Sequence, residues 1–205
     1  MRSASFIFVF DFCFPLNNNV RQNCLYVSLA YNLILNRINL RKWYHRIDQH
    51  VLLGALPMKG KFPTMLIQKE NVRAVISMNR DFELDFAGMN TQEWNKMGIE
   101  FLQLPTKDFG VPSLPNLQKG VQMIESVIDR YRSPDSIVND QKPSIYIHCK
   151  AGRTRSSTLV ACYLVKTYDM TPQEAVIFIR EKRSHIDLKK SHIEMIQKYR
   201  DSLKL

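Results

Sequence analysis

The chain has 205 residues, 45% of them hydrophobic, with 29 basic against 19 acidic side chains and a formal charge of +10. That length suits one domain with an appended segment, and that apolar content can build a core, which excludes global disorder. The charge points to anionic partners: nucleic acid, an anionic membrane and a phosphorylated substrate all fit, as does a simple solubilising surface. The four cysteines, Cys13, Cys24, Cys149 and Cys162, show neither metal-ligand spacing nor a disulfide framework. They fit a reducing compartment, where a thiol can stay reactive.

Residues 1–42 hold one acid, Asp11, against Arg2, Arg21, Arg37, Arg41 and Lys42. Phe6, Phe8, Phe10, Phe12 and Phe14 form an apolar patch that Asp11 interrupts, like a weak secretory core without a small-residue cleavage site. A helix over 25–40 would align Ser28, Asn32, Asn36 and Asn39 as a narrow polar stripe on a surface otherwise rich in Leu, Tyr, Val and Ile. The apolar run from Leu25 to Tyr31 is far below the roughly 20 residues a transmembrane helix needs. A basic, acid-poor, amphipathic segment fits a mitochondrial presequence or an interfacial anchor; a helix packed on the following domain is the alternative. We expect residues 1–42 to be a targeting or membrane-associated segment and residues 43–205 to be the folded domain.

From Trp43 onward, short apolar runs alternate with helical patterns. Strands are predicted at 51–55 (VLLGA), 73–78 (RAVISM), 99–104 (IEFLQL) and 144–148 (SIYIH), and helices at 62–70, 91–97 and 115–132. "SPDSIVNDQKP", 133–143, reads as a polar loop, and "SSTLVACYLVKTY", 156–168, as an apolar helix. Thr171, Pro172 and Glu174 then spell a capping box with proline in the first turn, and Ser191 with Glu194 repeats the device before the last helix. This alternation predicts an α/β fold with a mostly parallel central sheet flanked by helices.

The stretch "IYIHCKAGRTRSS", 145–157, places a cysteine, a lysine, a glycine and two arginines directly after an apolar strand. A loop between a strand end and a helix start can turn successive N–H groups inward and hold an anion. Gly152 permits a backbone conformation that bulkier residues resist. Arg155 can grip two phosphate oxygens at once, and the same positive surroundings lower a thiol pKa. The spacing puts an activated Cys149 beneath a phosphoryl group held by the Lys150, Ala151, Gly152, Arg153 and Thr154 loop and by Arg155.

His148-Cys149, five residues and Arg155-Ser156 match the HCx5R(S/T) loop of cysteine-dependent protein tyrosine and dual-specificity phosphatases. Together with "WYHRIDQHVLLGALP" (43–57), "NVRAVISMN" (71–79) and "NLQKGVQ" (116–122), the chain resembles the mitochondrial members that dephosphorylate phosphatidylglycerophosphate, over roughly residues 43–200. The resemblance implies a cysteine-phosphatase fold, no cofactor and no metal, and a phosphocysteine intermediate. It implies a lipid product on the route to cardiolipin and a place at the matrix face of the mitochondrial inner membrane. Where those members carry an acidic stretch with tyrosine, this chain reads "NRDFELDF" (79–86): Asp81 and Glu83 keep two acids, while Arg80 and Phe82 change the charge and remove a hydroxyl.

Thiolate attack needs an acid for the departing oxygen, on a loop upstream. Asp108 in "PTKDFGVPS" is the candidate; Gly110 and Pro112 give the segment loop character, and the resemblance assigns it the acid role and then the base role on water. Ser156 is expected to hydrogen-bond the sulfur, and His148 to orient the loop through the backbone. Lys150 and Arg153 are not required by the chemistry and suit a second phosphate on the substrate; outward-facing solvated charge is the alternative. The reading is a metal-independent phospholipid phosphatase, with a protein tyrosine/dual-specificity or phosphoinositide phosphatase as the runner-up. A phosphate-binding module without turnover is disfavoured by Cys149, Arg155 and Asp108 occurring together. Nucleic-acid binding ranks low, because no aromatic stacking motif accompanies the basic residues.

Overall fold

The computed structural model describes residues 42–138 and 141–203, so the segment expected at 1–42 lies, apart from Lys42, outside the described residues. The described chain runs β1 (Tyr44–Arg46), β2 (Val51–Gly54), α1 (Lys61–Glu70), β3 (Val72–Ser77), α2 (Asp81–Ala87), α3 (Thr91–Lys96) and β4 (Glu100–Gln103). It continues through α4 (Leu114–Arg130), β5 (Ser144–His148), α5 (Arg155–Tyr168), α6 (Pro172–Lys182) and α7 (Lys190–Ser202). The strands form one sheet in the order β1-β2-β5-β3-β4, with β1 antiparallel to β2 and the other neighbours parallel. The α/β expectation holds, and the predicted strands and helices are present within one or two residues of their expected ends.

Both faces of the sheet are covered, which is why its inner strands read as unbroken apolar runs. Val51, Leu53, Ala74, Ile76, Ile145 and Ile147 face Leu117, Val121, Ile124 and Val127 of α4 and the buried side of α5. The alternate residues Leu52, Val75 and Tyr146 point the other way, onto Leu66 of α1, Trp94 of α3 and Ile99. Helix α5 is buried from Arg155 through Val165, so it has no polar stripe.

Three elements depart from expectation. Strand β1 was not predicted; it is a three-residue edge with half-buried side chains, too short to carry a period. Helix α2 was not predicted either; it opens with the Arg80 N–H donating to Glu83 Oε2 at 2.9 Å. The capping box of α6 forms as read, with Thr171 N–H donating to Glu174 Oε2 at 2.7 Å and Glu174 N–H to Thr171 Oγ1 at 3.3 Å. The one predicted at Ser191 and Glu194 does not. Helix α7 begins earlier, at Lys190, where the Lys189 N–H donates to His192 Nδ1 at 3.2 Å; an imidazole serves where a carboxylate was expected.

Candidate active site

Parallel pairing brings the C-terminal ends of β2, β3 and β5 together, with His148 of β5 in register between Gly54 and Ser77. The loop Cys149–Thr154 leaves the sheet there and enters α5. Its carbonyls are drawn outward one after another. That of Lys150 accepts from Leu56 N–H at 3.3 Å, and that of Arg153 from Asp187 N–H at 3.0 Å. The Ala151 and Gly152 carbonyls accept from Arg183, Nη2 at 3.0 Å and Nε at 2.7 Å. Thr154 closes the set by accepting from the Thr158 N–H at 3.0 Å. In a trans peptide the N–H points opposite to the carbonyl, so these bonds turn the following N–H groups inward. Gly152 has φ 63°, and a Cβ there would lie 2.4 Å from the Gly54 carbonyl oxygen, so both conformation and space require glycine.

Cys149 sits at the floor of this loop, 3% exposed. Ser156 Oγ lies 3.2 Å from its sulfur. Burial pushes the thiol pKa up, but the Arg155 charge, the Ser156 hydroxyl and the N–H groups of Ser156 and Arg153 together hold it below its ordinary value. Cys162, buried in α5 without such partners, is driven the other way by burial. His148 is fully buried, and burial first, then Arg155, brings its pKa down to about 3. The imidazole is therefore neutral. The Cys149 backbone bonds weakly to the imidazole and opposes that shift, in line with the expected orienting role, although neither ring nitrogen makes a well-formed hydrogen bond among the described residues. The His148 carbonyl in turn accepts from the Met78 N–H at 2.9 Å.

Arg155 is 1% exposed. Its Nη1 and Nη2 each donate to a Glu83 carboxylate oxygen at 2.9 Å, Nη1 also reaches the Thr106 carbonyl at 3.0 Å, and Nη2 lies 3.0 Å from Asp108 Oδ1. Asp108 bridges to Lys150 through its other oxygen. Burial pushes the Asp108 carboxyl up, yet Arg155 and Lys150 outweigh it and hold it below the usual carboxylate range. The acid candidate therefore rests ionised against the guanidinium.

The structure thus brings Cys149, Arg155, Ser156, Asp108 and Lys150 together. Lys150 is buried and neutralised by Asp108, with its ammonium 5.6 Å from the Phe109 ring centroid. Arg153 lies on the outer side, its Nε on the His185 carbonyl at 2.9 Å and its guanidinium 3.8 Å from Asp187. Sequence reading missed two arginine contacts. Glu83 was noted only as a retained acid, and Arg183 was not noted at all; buried charged side chains so far from the loop in sequence leave no local signal.

Residues 59–202 match the dual specificity phosphatase catalytic domain family. The chain is 42% identical over 178 residues to "phosphatidylglycerophosphatase and protein-tyrosine phosphatase 1" of Mus musculus, covering 85% of this chain and 86% of that one. A crystal structure of PTPMT1 in complex with PI(5)P superposes with a TM-score of 0.71 at 41% identity, over 80% of this chain and 97% of that one. The active form of Tk-PTP shares the fold, with a TM-score of 0.64 at 23% identity over 78% of this chain and 97% of that one. A buried, acidified cysteine under inward-facing amides, read with these likenesses, places the chain in the dual-specificity phosphatase family, as a cysteine-dependent phosphatase.

Proposed function

We propose that the chain hydrolyses the phosphomonoester of phosphatidylglycerophosphate, giving phosphatidylglycerol for cardiolipin synthesis, at a mitochondrial membrane. The Cys149 thiolate attacks phosphorus, forming the S–P bond as the bond to the glycerol oxygen breaks. The N–H groups of the Lys150–Thr154 loop and the Arg155 guanidinium carry the phosphoryl charge. Asp108 gives its proton to the departing oxygen, then takes one from the water that splits the phosphocysteine. Ser156 donates to the sulfur as it leaves. The dianion displaces the Asp108 carboxylate from Arg155 Nη2, and losing that cation lets Asp108 take up the proton it must deliver.

One observation carries the chemistry: the buried Cys149 sulfur lies 3.2 Å from the Ser156 hydroxyl, at the start of the helix whose first residue, Arg155, holds its thiol pKa down. The lipid substrate is supported by the name of the Mus musculus relative and by the PI(5)P bound to PTPMT1. Lys150 and Arg153 supply positive charge beside the loop for a second phosphate, Lys150 once substrate has drawn Asp108 away. No helix among the described residues is long and apolar enough to cross a membrane; association with the matrix face of the inner membrane is assigned to residues 1–42, on their basic, amphipathic composition. The relative's name also includes protein-tyrosine phosphatase, which favours phosphoproteins as a second substrate class.

The test is side-by-side turnover of phosphatidylglycerophosphate, phosphoinositides and phosphopeptides by one preparation of the full chain. Phosphatidylglycerophosphate is expected to give the highest kcat/KM. A higher value on phosphopeptides would move the assignment to a protein phosphatase. Deleting residues 1–42 should weaken vesicle binding while sparing hydrolysis of a soluble aryl phosphate.

A further inference from the structure

Arg183 caps the C-terminal end of α6, its N–H bonded to the Ile179 carbonyl at 2.8 Å. Its side chain turns inward and is 1% exposed. Every nitrogen of the guanidinium has an acceptor: Nε on the Gly152 carbonyl at 2.7 Å, Nη2 on the Ala151 carbonyl at 3.0 Å and the Trp43 carbonyl at 3.5 Å, and Nη1 against His45 Nδ1 at 2.9 Å. Arginine stays charged, so Nη1 donates and His45 Nδ1 accepts. Burying a guanidinium this way is costly, and the fold offsets that cost with acceptors from the catalytic loop, from β1 and from Trp43 just before it.

The Gly152 carbonyl and the Arg153 N–H belong to one planar peptide and point in opposite directions. Arg183 holds the carbonyl end of that plane, while the N–H end is one of the groups that acidify Cys149. The Ala151 carbonyl, held by Nη2, fixes the preceding peptide and its Gly152 N–H in the same sense. A Cβ at Gly152 would also lie 2.9 Å from Arg183 Nη2, so glycine admits both the loop's turn and the guanidinium behind it.

We propose that Arg183 is a positioning residue for Cys149, acting through the Gly152–Arg153 peptide, with His45 of β1 holding the guanidinium in place. The inference rests on the reading of Cys149 as the nucleophile. Arg183 does not touch the substrate. It sets the direction of two loop N–H groups, and through them both the thiolate and the seat of the phosphoryl oxygens.

Arg183→Lys separates geometry from charge, because lysine keeps the cation but loses the fork that spans two carbonyls. The readout, independent of turnover, is the pH dependence of iodoacetamide alkylation at Cys149, followed by peptide mapping in the full-length protein. The alkylation midpoint is expected to rise by about one pH unit, a tenfold loss of thiolate on its acid side, and vanadate to bind about tenfold more weakly. A residue that only stabilised the fold would lower Tm and leave both unchanged. His45→Ala, which leaves Arg183 itself intact, should shift the midpoint in the same direction by less, and it decides the matter if Arg183→Lys does not fold. An unshifted midpoint in the folded variant overturns the inference. Cys149→Ser distinguishes the two failures: retained turnover there would remove the nucleophile assignment whatever Arg183 does.

Discussion

Glu83 and Arg155, 72 residues apart in sequence, meet in a two-pronged ion pair with both bonds at 2.9 Å and both side chains 1% exposed. The pair fixes the plane of the guanidinium before any phosphate arrives. It also ties the first turn of α2 to the first turn of α5, so this short helix is part of the active-site frame. Of the two acids retained in this segment, Glu83 turns toward the arginine.

Glu83→Gln removes the neutralising charge and one acceptor. A buried arginine left without its carboxylate costs about 3 kcal/mol of stability, and turnover should fall by about two orders of magnitude. The unbalanced guanidinium should at the same time lower the Cys149 alkylation midpoint further. Iodoacetamide kinetics beside steady-state rates check this; a midpoint that rises would mean that the arginine itself has moved away.

Cys149 and Cys162 are both buried but shifted in opposite directions. At pH 7 iodoacetamide should therefore modify Cys149 and leave Cys162 unmodified in the native protein, as peptide mapping would report. Cys149→Ser should abolish turnover yet still bind vanadate, since the hydroxyl fits the loop but does not ionise there. Alkylation of Cys162 at a comparable rate would mean that its site opens to solvent.

Asp108 occupies part of the Arg155 edge that a phosphate needs. Asp108→Asn should slow hydrolysis of alkyl phosphates at least a hundredfold, and of nitrophenyl phosphate much less, because nitrophenolate leaves without a proton. With the competing charge gone, vanadate should bind several-fold more tightly. Titration of vanadate against both proteins measures this; weaker binding by the variant would show that Asp108 assists phosphate rather than competing with it.

The same carboxylate sets a pH dependence of stability. Its pKa is depressed in the folded protein, so on acidification the unfolded chain takes up the proton first. The stabilisation is complete above the ordinary aspartate pKa of about 3.9 and is lost as pH falls through the lower folded value. Tm of the wild type should therefore drop more steeply below about pH 4 than that of Asp108→Asn, as thermal melts across that range would reveal. Parallel curves would mean that the ion pair is absent in solution.

The sheet was legible because β5 and β2 are buried on both faces, and continuous apolar runs leave little else for them to be. The catalytic loop was legible because its chemistry is contiguous: one strand end, one glycine, one arginine at fixed spacing. Helix α2 was not, since Glu83 is buried by a partner far along the chain rather than by an apolar face. Arg183 escaped for the same reason, and an arginine at a helix end reads as a dipole partner until the loop carbonyls are seen to meet it. Ser191 misled because serine is a common cap, whereas the helix starts from Lys189, with His192 in the part expected of Glu194.

Strand β5 lies between β2 and β3, although both precede it in the chain by more than half the length of the sheet-forming region. As the protein emerges from the ribosome, β2 and β3 are therefore made without the neighbour that completes them, each with an open edge and an apolar surface. Residues 144–148 must then insert at the centre rather than add at a rim, closing long loops in a single late event. A nascent chain halted before His148 would present two sticky half-sheets and no catalytic loop, so during synthesis the enzyme's exposure to misassembly ends only when its active site comes into being.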